Sequence, residues 1–139
     1  MKEELITLET AKLAKYKGFK EETKFSYKQP VVTKRGTNIK EEREYRVEKT
    51  GYQYSSATEI SFPNEDFYAP TQSFLQRWLR EVHNIHISIE TLLGSKPDRV
   101  LFAIKKVGFL MEGFKTAGTI YKSYEEALEE ALQKALKLI

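Results

Sequence analysis

Residues 69-APTQSFLQRWLREVHNIHI-87 run from a turn through a helix into a strand, and their reading decides the fold. Thr71 is placed to cap a helix that reaches about His83. At 3.6 residues per turn, Leu75, Trp78, Leu79 and Val82 share one face, while Ser73, Gln76, Arg77, Arg80 and Glu81 share the other. Asn84 tolerates the left-handed conformation that ends a helix. Beyond it Ile85, Ile87 and Ile89 alternate with His86, Ser88 and Glu90, the period of a half-buried strand. The only Trp therefore points into a core, and the two His stand where helix gives way to strand.

The pattern continues downstream. LLGSKPD is a turn, VLFAIKKV (100–107) a second strand, and FLMEGF through GTIY a third that Gly113 and Gly118 interrupt. Ser123 and Glu126 have capping-box spacing ahead of a helix over 123–138. Leu128, Ala131, Leu132, Ala135 and Ile139 make its apolar stripe, with Ala127, Leu136 and Leu138 at the edges. Acids lie in its first turns, and Lys134 and Lys137 at its end, as the helix dipole favours. An α-β-β-β-α order of this kind predicts an α+β fold, a small antiparallel sheet with helices packed on one face. Leu75, Trp78, Leu79, Val82, Leu128, Leu132 and Ala135 would meet strands carrying Ile85, Ile87, Phe102 and Ile104.

Upstream, the turn cluster 63-PNEDFYAP-70 marks an internal boundary. Residues 8–17 read as a helix between Thr7 and Gly18, with apolar residues that do not gather on one side. In KFSYK (24–28), Phe25 and Tyr27 alternate with polar residues. KRGTNIKEEREYR reads as a charged hairpin tip around Gly36–Asn38, and Tyr45, Val47, Tyr52, Tyr54 and 57-ATEISF-62 suggest short strands. The expectation is one domain over 1–139, with a helix and β-rich part over 1–66 and the α-β-β-β-α core over 67–139.

Composition narrows the function. The 139 residues include eight Phe and eight Tyr, enough large side chains for a core. No Cys is present, which excludes disulfides, thiolate metal sites and Cys nucleophiles and suits a cytoplasmic setting. MKEELITLETAKLAKYKG lacks the apolar run of a signal peptide, and no window approaches the roughly 20 apolar residues of a membrane span. With 23 Lys plus Arg against 20 Asp plus Glu, the net charge of +3 is far from that of a chain built on phosphate backbones.

No constellation for catalysis assembles. His83 and His86 have i, i+3 spacing, but a helix end and a strand would separate them, and zinc needs three or four ligands. There is no nucleophile elbow, no phosphate-binding glycine loop, and no carboxylate pair in an apolar setting. The sequence therefore predicts no catalytic residue, no metal ligand and no cofactor. A hydrolase would need a tight cleft lined by His83 or His86 and a carboxylate.

Residues 69–139 resemble the double-stranded-RNA-binding domain in topology. Local features agree: a Pro-Thr-led first helix with Leu75 and Leu79, Phe102 in the second strand, and a Ser123-capped last helix. In that family, lysines in the first turn of the last helix grip phosphates. Here the turn reads SYEEALEE, so Glu125, Glu126 and Glu129 would repel a polyanion. Nucleic acid enters only through a local patch of Arg77, Arg80, Lys105 and Lys106.

A second resemblance is more specific. YAPTQSFLQRWLREVHNIHI and YKSYEEALEEALQKALKLI are similar to segments of small proteins encoded by phages and prophages of gut Bacteroidales. Those share a Tyr-Ala-Pro-Thr-Gln-Ser turn, a Trp-Leu-Arg-Glu helix and a closing Ala-Leu-rich helix. A more distant similarity is to phage sandwich domains that pack a sheet with two helices. The resemblance implies a phage accessory context and no site residues. Together with the missing catalytic constellation, that context favours a non-enzymatic protein that binds another protein; the contact face read from the residues themselves is Gln76, Arg77, Arg80, Lys105 and Lys106.

Overall fold

The computed structural model describes residues 3–52, 60–92, 99–106, 121 and 123–139. In chain order these form α1 (Leu8–Tyr16), β1 (Phe25–Lys28), β2 (Val31–Thr33), β3 (Lys40–Glu42), β4 (Arg46–Lys49), β5 (Ile60–Ser61) and β6 (Phe67–Tyr68). Then come α2 (Gln72–His83), β7 (Ile85–Leu92), β8 (Arg99–Lys106) and α3 (Tyr124–Leu136). The protein is α+β, with small antiparallel sheets. Its chain divides into two compact units, Met1–Ile6 with Thr71–Ile139, and Thr7–Pro70. The expected third strand lies outside the described residues except at its end, where Tyr121 bridges Val100.

In the first unit, local chemistry sets the helix ends. Thr71 is extended (φ −68, ψ 158) and its hydroxyl accepts the Phe74 amide at 3.2 Å. Asn84 closes α2 at φ 56, ψ 32, its amide donating to the Leu79 carbonyl. Ser123 caps α3 by accepting the Glu126 amide at 3.2 Å. β7 and β8 pair so that Ile87 faces Ile104 and Ile89 faces Phe102, and both helices pack on this ladder. Leu75, Trp78, Leu79, Ile85, Ile87, Phe102, Ile104, Leu128, Leu132 and Ala135 are buried, as the periodicity predicts.

Four positions differ. Val82, in the last turn of α2, is 57% exposed although it lies in line with the fully buried Leu75 and Leu79. Ala127 and Leu136 are fully buried instead of marginal, while Ile139, beyond the helix end, is only half-buried. The buried arc of α3 is thus rotated and wide, with alanines that let a neighbour approach closely. Gln72, only 7% exposed, also belongs to this core. Its amide donates to the Glu125 carbonyl and to Glu129 Oε2, each at 2.9 Å, and so fastens the start of α2 to the start of α3. Residues 3–6 complete the unit: Leu5 bridges Thr71, and the Glu4 carbonyl accepts the Gln72 amide at 2.9 Å.

In the second unit, Thr7 caps α1, which packs on β6. Two sheets follow, ordered β4-β1-β6 and β3-β2-β5. The charged hairpin joins β2 to β3 as expected, its tip turning through Gly36 at φ 76. Val47 lies on β4 and Ile60 on β5, whereas Tyr54 and residues 57–59 lie outside the described residues.

Candidate functional site

The outer face of α2 follows from its amphipathic period. Arg77 and Arg80 both stand in solvent. Arg77 places its guanidinium 5.2 Å from the centre of the Phe74 ring and its Nε 3.9 Å from Glu81 Oε1, one turn on. The stack gives the arginine a preferred direction, while the exposed ion pair contributes little. Val82 is uncovered too, but on the opposite side of the helix, in line with Leu75 and Leu79.

The other candidates are placed elsewhere. Gln76 is half-buried and donates its amide to the Ile87 carbonyl at 2.9 Å, a tie between α2 and β7. Lys105 and Lys106 are consecutive on β8, so they leave opposite faces of the ladder. Lys105 is exposed and opposes His86; Lys106 opposes Ile85 on the face that carries the helices. Arg77 and Arg80 therefore form one surface, and the two lysines do not share a side with each other.

The histidines separate in the same way. His83 sets its ring edge-on to Trp78, with centroids 4.7 Å apart, and its Nε2 is buried with no hydrogen-bond partner. Burial, and then the nearby Lys106 charge, hold its pKa below the ordinary histidine value, so the neutral ring is favoured. His86 projects to solvent from β7. Among the described residues no three His, Asp or Glu side chains gather as a metal would require.

A cavity that the sequence does not announce lies in the Thr7–Pro70 unit. It encloses about 580 Å³ between α1, the Phe19 segment, β1, the Thr50–Gly51 turn and β6. β1 lines it with the wrong side for an ordinary strand. Ser26 and Lys28 point inward, at 2% and 7% exposure, while Phe25 and Tyr27 are left half-exposed. Lys28 Nζ meets Asp66 Oδ2 at 3.0 Å, and Ser26 Oγ lies 2.6 Å from Thr50 Oγ1. Lys15 reaches the Asp66 carbonyl at 3.0 Å and Glu65 Oε1 at 2.6 Å. The alternation of Phe25-Ser26-Tyr27-Lys28 is visible in the sequence, but it is symmetric and does not say which side is inside.

Comparison of the chain with protein-family models, curated proteins and solved structures finds no match. Among the described residues no helix is long and apolar enough to cross a membrane.

Proposed function

We propose that this chain is a non-enzymatic accessory protein of phage or prophage origin, acting in the host cytoplasm by binding another protein. The observation that carries this reading is the outer face of α2, where Arg77 lies over Phe74 and Arg80 stands beside it in solvent. Arginine and aromatic side chains are enriched at protein interfaces, because they combine apolar area with directed hydrogen bonds. The similarity of residues 68–87 and 121–139 to small phage proteins supports the context. Of the candidate cations, Arg77 and Arg80 serve this face; Lys105 and Lys106 diverge, which weakens a shared phosphate-binding patch.

Affinity capture from infected or lysogenic host cells, with and without nuclease, tests the reading. A protein partner that survives nuclease and is lost from an Arg77→Ala/Arg80→Ala variant is the expected result. An unchanged partner set with that variant would remove α2 as the contact. Nucleic acid as the sole captured material, with salt-sensitive recovery, would replace the reading with nucleic-acid binding.

A further inference from the structure

We infer that the cavity of the Thr7–Pro70 unit binds a small organic anion, singly charged, with an apolar or aromatic body. Burying a hydroxyl and an ammonium while leaving two aromatic side chains half-exposed reverses the usual economy of a strand. The reversal places donors inside the cavity. Ser26 and Thr50 share one hydroxyl proton between their oxygens, so the second remains able to donate to a bound group.

The charges set the ligand's charge. Lys28 is matched by Asp66, and Lys15 by Glu65. Lys20 also lines the cavity, and it has no ion-pair partner among the described residues. One cation is therefore left over, which suits one negative charge and disfavours a nucleotide polyphosphate. Ala11, Phe19 and Tyr68 supply apolar wall. A volume of about 580 Å³ falls in the range that encloses most of a small ligand. The head would sit between Lys20 and the hydroxyl pair, with the body against Phe19 and Tyr68. This cavity and the α2 face lie in different units, so either reading can fail while the other stands.

The test titrates the full chain with 4-phenylbutyrate, with its uncharged analogue 4-phenyl-1-butanol, and with doubly charged phenyl phosphate. Amide shifts of Ser26, Thr50 and Gly51 in two-dimensional NMR are the readout. The expected result is saturable shifts at millimolar 4-phenylbutyrate, with binding of the alcohol weaker by about tenfold or more. Phenyl phosphate should bind more weakly than the carboxylate. Lys20→Gln, an exposed change that leaves the core alone, should weaken carboxylate binding about threefold or more. Ala11→Leu, which projects into the cavity, should abolish the saturable shifts while the remaining spectrum stays dispersed. No saturable shift with the carboxylate, or equal binding of the alcohol, overturns the inference. So does a Lys20→Gln variant that binds as the parent does, and preference for phenyl phosphate would overturn the single-charge assignment.

Discussion

Replacing Gln72 with methionine isolates the clamp between α2 and α3. Methionine keeps the length and volume of the side chain, so no large cavity opens. It removes both bonds from Nε2, one to the Glu125 carbonyl and one to the Glu129 carboxylate. A neutral bond contributes about 1 kcal/mol and one to a charged group about 1.5–3 kcal/mol. Glu129 is only half-buried, and the Glu125 carbonyl lies in a helix where it has an intrahelical partner available, so both values belong at the low end. The apolar burial gained by methionine offsets part of the loss. The expected cost is about 2 kcal/mol, or a fall of about 4–8 °C in Tm. Trp78 is the only Trp and shares the unit of Gln72, so its fluorescence in urea follows the relevant transition. A cycle with Glu129→Ala should give a coupling of about 1 kcal/mol. A Gln72→Met variant within about 0.5 kcal/mol of the parent would refute the clamp, since that is the scale of an ordinary surface change.

Leu132→Ala should cost about 2–5 kcal/mol by urea unfolding, because Leu132 is fully buried, whereas the exposed Val82→Ala should stay within about 0.5 kcal/mol. His83 has a folded pKa below its unfolded value, so the unfolded chain binds the proton first as pH falls. Stability should therefore be full above the ordinary histidine pKa of about 6.5 and decline as pH drops from there toward the folded value. His83→Phe, which can retain an aromatic contact with Trp78, should flatten that part of a Tm-against-pH profile. Asn84→Gly should be neutral or stabilising, while Asn84→Ala should lower Tm, since the position holds φ 56.

Features that depend on a few neighbouring residues are legible in the sequence. Thr7, Thr71, Ser123 and Asn84 end helices through bonds within one turn of themselves, and the Ile85/Ile87 alternation marks the buried side of β7. What escapes depends on distant surfaces. Val82 fits the apolar period of α2, but whether anything covers it is decided by where the neighbouring elements stop. Gln72 reads as a polar helix start until α3 supplies its acceptors. The site splits along the same line: Arg77 and Arg80 follow from helical period, whereas the divergence of Lys105 and Lys106 needs the register of β8. Lys28 is harder still, because a lysine is read as exposed until Asp66, far along the chain, is shown beside it.

Leu5 bridges Thr71, so the chain leaves one unit after Ile6 and re-enters it beside the point of departure. The Thr7–Pro70 unit is in effect an insertion between those two points. During synthesis that unit has all of its own residues before α2 emerges, while Glu4 and Leu5 must wait for partners made much later. The order of completion is therefore nested in sequence, the inserted unit first and the flanking one after Thr71–Ile139 has been made. Because the two junctions lie side by side, a short turn replacing the insertion would meet little geometric resistance, and lengthening the insertion would add only a slowly growing loop-closure cost.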